Sequence, residues 1–354
     1  MLRSVSLLAM AIGLGFASPV LAADWQWEED GADFREPLGM EPKDWTGLGE
    51  DSDTLGFEFG TRYWYSMGAN SFSSAAGTDT FSSTDNTHFG EVHLRIEDES
   101  TQTWATGKFG YSFATTGNFN NDGTTGSFNN GNVSYFGADI GYNALGGGQA
   151  YLGPMVGYQQ WNDQLNTGRH NFAIASGNVP SDPLTGEPII GGDSKTNNLT
   201  VHALRLGLQT KAEFGNFMDV TAELAAVPYA AIAGTLGSAG TPIVDFGTTQ
   251  RVQSSAMELS GWGYGAMGEV MVGFRPADNV VFRLGGRAWY LQGTADTSYD
   301  TVTIADAIDN NADGDYGDPG DTPAQVVAQQ RYISQGNPFS QFRYGLLAEL
   351  TYKF

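Results

Sequence analysis

The stretch that decides the fold closes the chain: Phe342-Arg343-Tyr344-Gly345-Leu346-Leu347-Ala348-Glu349-Leu350-Thr351-Tyr352-Lys353-Phe354. Apolar side chains occupy every second position, and charged ones fall between them. Successive residues of a β-strand point to opposite faces, so one face of this strand is apolar and the other carries Arg343, Glu349 and Lys353. A soluble sandwich buries its apolar face, whereas a membrane barrel turns that face to lipid and keeps the polar face in its lumen.

The same alternation recurs along the chain, which predicts an all-β fold. Upstream it covers residues 55–66, 91–97, 105–113, 136–142, 152–158, 204–211, 220–224, 262–275 and 280–290. With the final strand this gives a transmembrane antiparallel up-and-down β-barrel of ten strands. Eight or twelve strands would follow if residues 162–198 and 228–258 hide further hairpins, for which 229–232 and 243–246 are the candidates.

The connections between these segments alternate in length. Short turns lie near residues 98–103, 143–149, 215–216 and 276–279, and long polar stretches near 67–87, 115–132, 162–198, 228–258 and 293–338. Barrels of the bacterial outer membrane have short periplasmic turns and long extracellular loops. The alternation therefore favours that architecture over a soluble sandwich.

The terminal strand resembles that of Gram-negative outer-membrane β-barrel proteins. In that family a final Phe preceded by alternating apolar residues, here Leu350, Tyr352 and Phe354, serves as the assembly signal. The resemblance implies an outer-membrane location, an even strand number, contact with outer-membrane lipid and lipopolysaccharide, and recognition by the barrel-insertion machinery. It does not identify a subfamily.

The N-terminal region predicts export. Residues 1–22 read as a signal peptide, with Arg3 before a short apolar run and Val20-Leu21-Ala22 at the cleavage position. Residues 23–53 are predicted to be a periplasmic segment, with a small plug as the alternative, and residues 54–354 the barrel. The chain has no cysteine, and its net charge of -23 excludes a nucleic-acid partner because phosphates would be repelled.

Charged residues gather on the face predicted to line the lumen. The predicted lumen network consists of Glu58, Arg62, Glu91, His93, Arg95, Lys108, Arg205, Glu223, Glu269, Arg283, Arg287, Arg343 and Glu349. Enclosed charges must be paired or hydrated. Two hypotheses follow: a narrow passive pore for small solutes, or a closed barrel whose long acidic loops bind a partner or calcium.

One acidic loop carries the start of a calcium-binding pattern. The loop matches the pattern D-x-[DN]-x-[DN]-G, with Gly314 as the glycine. The candidate ligands are Asp309, Asn311, Asp313 and, directly after the glycine, Asp315. The twelfth position is Gly320 rather than a bidentate Glu, so an EF-hand is excluded and a simpler calcium loop remains, with Asp318 and Asp321 as further ligands. The alternative is an acidic loop that is merely hydrated. No other cofactor is predicted.

Enzymatic activity is not predicted. Omptin-type proteases also have ten strands, and they use an Asp–His pair with paired aspartates at the outer rim. The histidines here are His88, His93, His170 and His202, and no Asp-x-His occurs. His93, between Glu91 and Arg95 in the alternation, is interpreted as part of the lumen network.

Overall fold

A computed structural model describes residues 55–74, 80–121, 123–147, 150–165, 198–237, 243–277, 279–314 and 319–354. The predicted signal peptide, the predicted periplasmic segment and His170 lie outside these ranges. Every regular element in them is a β-strand, and within them no helix is long and apolar enough to cross a membrane. The strands are β1 (Leu55–Ser73), β2 (Thr80–Asp98), β3 (Thr103–Asn121), β4 (Thr124–Phe128), β5 (Gly131–Tyr142), β6 (Leu145–Gly147), β7 (Ala150–Leu165), β8 (Asn198–Phe214), β9 (Met218–Gly237), β10 (Ile243–Asp245), β11 (Thr249–Gln253), β12 (Met257–Ala277), β13 (Val280–Ala305) and β14 (Gln325–Lys353).

Ten of these strands form a closed antiparallel ring. The order is β1-β2-β3-β5-β7-β8-β9-β12-β13-β14, and β14 returns to pair with β1. The final strand therefore closes the barrel between the first strand and β13, and the Phe354 N–H donates to the Phe57 carbonyl at 2.9 Å. Closure leaves the ring without a free edge, which explains how a sheet this large stays stable. The predicted ten-stranded barrel is confirmed.

The short strands add to the ring without enlarging it. β4 pairs with β3 and β6 with β7, while β10 and β11 form a small hairpin on β13. The candidate strand at 229–232 is part of β9, and the one at 243–246 begins the small hairpin. Neither adds a strand to the ring.

The prediction was wrong about the length of the strands. Much of what it treated as long loops is strand: β1 runs on to Ser73, β3 to Asn121, β9 to Gly237 and β13 to Ala305. The reason is that outward residues in these extensions are mostly small or polar, chiefly Ala, Ser, Thr, Asn and Asp, so the strongly apolar half of the alternation disappears. The backbone ladder continues all the same, because its hydrogen bonds do not depend on side-chain polarity.

The outer surface has an apolar band on the half of the barrel next to the short turns. Exposed Leu, Val, Ile and Phe side chains fill it, among them Phe59, Leu94, Phe109, Leu206 and Leu284. Aromatic residues mark its edge toward the long connections, and further aromatic residues mark the edge at the short turns. The first group is Tyr63, Tyr158, Tyr229, Trp262, Tyr264, Tyr290, Phe342 and Tyr344, and the second is Phe57, Tyr142, Phe214, Phe274, Tyr352 and Phe354. Membrane barrels carry such a band between two aromatic girdles.

Candidate functional site

In the barrel interior, an ion pair forms over an inward-facing glycine. Gly68 in β1 lies opposite Asp85 of β2 on one side and Arg343 of β14 on the other. Because Gly68 has no side chain, Asp85 and Arg343 meet over it in a bidentate pair, with both N···O distances 2.8 Å. A Cβ on Gly68 would overlap the Asp85 carboxylate and the Arg343 guanidinium. An inward glycine thus joins charges from two strands that are not neighbours.

The same arrangement occurs twice more around the ring. Gly157 of β7 lies between Asp139 of β5 and Arg205 of β8, and Gly273 of β12 lies between Asp219 of β9 and Arg283 of β13. Arg205 reaches Asp139 at 2.6 Å and 2.7 Å, and Arg283 reaches Asp219 at 2.9 Å and 3.2 Å. An added Cβ would collide with the aspartate in both cases. Three Asp–Gly–Arg triplets therefore fix the interior.

These pairs belong to a larger ion-pair network in the half of the lumen next to the short turns, where its members surround a polar cavity. It joins equal numbers of basic and acidic side chains. The basic members are Arg62, Arg95, Lys108, Arg205, Lys211, Arg275, Arg283, Arg287 and Lys353, and the acidic ones are Glu58, Glu91, Glu97, Asp139, Glu213, Asp219, Glu223, Glu269 and Glu349. A balanced, mutually paired set is the condition under which buried charges are tolerated.

The network reaches across the lumen as well as around the wall. Arg287 of β13 donates to Glu91 of β2 at 2.8 Å and to the hydroxyl of Tyr135 of β5 at 2.9 Å. β5 and β13 lie on opposite sides of the ring. Arg95 of β2 donates likewise to Gln209 of β8 at 3.1 Å. Charged and polar side chains from opposite or nearly opposite walls therefore meet in the middle of the lumen.

An aromatic layer lies above the network, on the side of the long connections. It consists of Trp64, Phe89, Tyr135, Trp161 and Trp289, all buried. Trp161 of β7 and Trp289 of β13 come from nearly opposite walls, yet their ring centroids are 4.8 Å apart. Trp161 also stacks on Tyr135, with centroids 5.2 Å apart and planes 7° from parallel. Aromatic rings at these separations are in contact, so the layer crosses the lumen.

A recess lies beyond the aromatic layer, at the end of the barrel with the long connections; we call it the distal recess. Its wall is mostly apolar, with Phe72, Phe81, Leu236, Leu259 and Phe339 among its buried residues. Asn70, Ser83 and Asp163 supply polar groups to the same recess. Below it, Arg343 lies over the rings of Phe89 and Trp161, at 5.8 Å and 5.2 Å from their centroids.

All thirteen residues predicted for the lumen network point into the interior in this structure. Twelve of them take part in the ion-pair network or lie against it, including His93, whose Nε2 is 4.0 Å from Glu349. Arg343 is separate, because the aromatic layer lies between it and the others. Four interior aspartates were missed: Asp85, Asp139, Asp163 and Asp219. Asp85 and Asp163 fall in stretches interpreted as loops, and polarity does not alternate around Asp85 because both faces of residues 82–88 carry polar side chains.

The predicted calcium residues lie at the tip of the connection between β13 and β14. The Asp309 carboxylate accepts hydrogen bonds from the backbone N–H groups of Asn311, Ala312 and Gly314, and the N–H of Gly314 contributes most to holding the pKa of Asp309 below its usual value. The Asn311 side chain donates to Asp313 at 3.1 Å. Asp315 lies outside the described residues, and among those described no three acidic or histidine side chains are grouped to hold a metal ion.

The described histidines other than His93 face outward at the edge of the apolar band. His88 is 2.6 Å from the Tyr63 hydroxyl, and His202 is 2.6 Å from the Tyr158 hydroxyl. Both belong to the aromatic edge rather than to the interior.

Comparison with known proteins supports the fold and nothing finer. No protein-family model matches the chain, and no curated protein matches it. The outer-membrane protease OmpT from Escherichia coli is a structural match with a TM-score of 0.52, at 11% identity, over 87% of this chain and 99% of OmpT. The Pseudomonas putida toluene transporter TodX matches with a TM-score of 0.26, at 8% identity, over 86% of this chain and 91% of TodX. The chain has the fold of the outer-membrane β-barrels.

Proposed function

We propose that this protein is an integral outer-membrane barrel whose lumen is closed by its own side chains, and that it acts through the half that extends beyond the apolar band. The observation that carries the proposal is the contact between Trp161 and Trp289, which joins nearly opposite walls. The ion-pair network beneath it supports the same conclusion, because Arg287 also crosses the lumen. Small barrels are commonly filled by side chains, and wide ones leave a channel.

The membrane location rests on the outer surface. The apolar band with its two aromatic edges matches what a bilayer requires, and the short turns then lie in the periplasm. Outer-membrane lipid would contact the apolar band, and lipopolysaccharide would contact the part of the band next to the long connections. The strand extensions beyond the band, with outward Ser82, Thr84, Asn118 and Asn120, would stand in water outside the cell.

The alternative is a narrow passive pore. It requires the aromatic layer to open, since solutes would have to pass between Trp161 and Trp289. Single-channel recording of the refolded mature protein in a planar bilayer separates the two functions. We expect no discrete conductance steps from protein that is folded, as judged by its heat-modifiable migration on a gel. Regular steps from such protein would refute the closed barrel.

A pair of variants locates any conductance. Trp161→Ala together with Trp289→Ala removes the contact across the lumen, whereas Trp262→Ala removes an outward tryptophan and leaves the interior unchanged. If the wild-type protein conducts and only the interior variant alters the conductance, the pore runs through the aromatic layer. If the ion-pair network alone is sufficient to close the lumen, we expect no conductance from the wild type or from either variant.

The assembly signal and the absence of catalysis remain part of the proposal. Leu350 and Tyr352 face outward on β14, beside the strand with which it closes the ring, and Phe354 is exposed directly after β14. We expect deletion of Phe354 to lower the amount of barrel inserted by the assembly machinery while a refolded sample still closes. Enzymatic activity is not proposed: among the described histidines, His93 lies within the ion-pair network, and His88 and His202 face outward against tyrosines.

A further inference from the structure

Among the described residues, the charges next to the distal recess are out of balance. The ion-pair network below the aromatic layer has as many basic as acidic members, but above the layer Arg343 faces two buried carboxylates, Asp85 and Asp163. Arg343 binds Asp85 with two short hydrogen bonds, while its nearest nitrogen is 3.9 Å from Asp163. Asp85 therefore takes most of the guanidinium, and Asp163 has only a weak share of it.

Asp163 has only weak or neutral partners of its own. The Asn70 side-chain N–H donates to it at 3.4 Å, and the backbone N–H of Leu165 also contributes. Asp163 is 4% exposed and lines the distal recess. A buried carboxylate is costly unless a cation or several donors compensate it. Within the part of the chain that the structure describes, no basic side chain other than Arg343 forms an ion pair with Asp163.

Asn70, which lines the same recess, has an unsatisfied acceptor. Asn70 is 8% exposed and lines the recess, and its Oδ1 has no hydrogen-bond partner among the described residues. Its Nδ2 is already directed to Ser83 and Asp163. Buried polar atoms in proteins are nearly always hydrogen-bonded, so an unpaired carbonyl oxygen beside a weakly compensated carboxylate marks a position for a donor that carries positive charge.

The remaining wall selects the rest of the ligand. Phe72, Leu236, Leu259 and Phe339 line the same recess as the two acceptors and give it apolar surface. An inorganic cation would gain nothing from such a wall. We propose that the distal recess binds a primary ammonium ion that carries a compact apolar group, with the ammonium donating to Asp163 and to Asn70 Oδ1 and the apolar group packed against the phenylalanines and leucines.

This inference goes beyond the closed barrel and does not depend on it, because the recess lies above the aromatic layer whether or not that layer opens. The test uses the full mature chain refolded in detergent and benzylammonium chloride as the probe, followed by saturation-transfer NMR. Benzyl alcohol has the ring without the charge, and methylammonium has the charge without the ring. We expect benzylammonium to bind at least about tenfold more tightly than either, since a charge-assisted hydrogen bond and apolar burial each contribute at that scale.

Matched variants assign the site. Asp163→Asn keeps the shape and removes the charge, and we expect it to weaken benzylammonium binding roughly ten- to a hundredfold. Asp306→Asn removes a charge from an exposed position in the connection after β13 and should bind like the wild type. Leu236→Trp fills the recess without altering a charge and should also weaken binding. Each variant is first shown to be folded by heat-modifiable migration, so that Leu236→Trp decides the question if Asp163→Asn fails to fold.

Three results would overturn the proposal: equal binding of benzyl alcohol and benzylammonium, full affinity in Asp163→Asn, or no binding of benzylammonium to folded wild-type protein. The last result would mean that Asp163 is compensated by a proton alone. Conductance is measured separately, so a failure here leaves the closed barrel standing, and a conducting barrel leaves the recess to be judged on its own binding data.

Discussion

Replacing Gly68 by alanine tests whether inward glycines are what allow the buried ion pairs to form. The added methyl group would occupy the space in which the Asp85 carboxylate and the Arg343 guanidinium meet. Both side chains are buried, and Arg343 also lies over the rings of Phe89 and Trp161, so the pair must either shift or separate. Overpacking a tight interior costs about 1–3 kcal/mol, and breaking a buried ion pair costs about 3–5 kcal/mol. We therefore expect Gly68→Ala to lower the free energy of unfolding by about 2–4 kcal/mol.

Gly90→Ala is the matched control. Gly90 lies on the neighbouring strand β2 and faces outward, where an added Cβ would have no contact within 4 Å apart from its chain neighbours. Alanine is favoured over glycine within a strand by about 0.5–1 kcal/mol, so this variant should be neutral or slightly more stable than the wild type.

The measurement is equilibrium urea unfolding of the protein refolded in lipid vesicles, followed by tryptophan fluorescence and checked by heat-modifiable migration. A fall in the midpoint with an unchanged slope reports a loss of stability rather than a change in the unfolded state. The reasoning is refuted if Gly68→Ala and Gly90→Ala unfold at the same urea concentration. A shift for Gly68→Ala alone would make the same substitution at Gly157 and Gly273 the next experiment.

Three further predictions concern charge in and around the barrel. Arg343→Met should lower the free energy of unfolding by about 3–5 kcal/mol, because it leaves two buried carboxylates without a cation. Arg331→Met on the same strand should lower it by less than about 1 kcal/mol, since Arg331 is 57% exposed and 4.0 Å from its acidic partner. Urea unfolding measures both. Leu206→Arg places a charge in the apolar band and should lower the free energy of unfolding by about 2–4 kcal/mol. Thr84→Arg, which faces outward beyond the band, should change it little. Calcium at millimolar concentration should slow proteolysis of the connection after β13 in wild-type protein but not in Asp309→Ala, measured in detergent free of lipopolysaccharide.

Each of these has a result that would contradict it. Equal losses for the buried and the exposed arginine would mean that the interior pair is hydrated rather than enclosed. Equal losses for the two introduced arginines would mean that the apolar band does not contact lipid. Unchanged proteolysis in millimolar calcium would exclude the calcium loop and leave a hydrated acidic connection.

The sequence alone determined the architecture, because the period of two and the length of the connections follow directly from strand geometry and from the two solvents a barrel meets. The final strand from Phe342 to Phe354 indicated an apolar outer face and a charged inner one, and alternating short and long connections indicated ten strands. The lengths of the strands were underestimated where the outer face meets water, since Ser and Thr carry no apolar signal there.

What only the tertiary structure decided is which inner residues meet. Gly68, Asp85 and Arg343 are far apart in the chain, and their triplet exists because antiparallel register places them at one level on three strands. Likewise, nothing local to Trp161 or Trp289 indicates that they touch across the lumen. Alternation assigns a side chain to the inner or the outer face of the sheet. Closure of the ring sets the distance between opposite walls, and that distance decides whether inward charges and aromatic rings line a channel or close it.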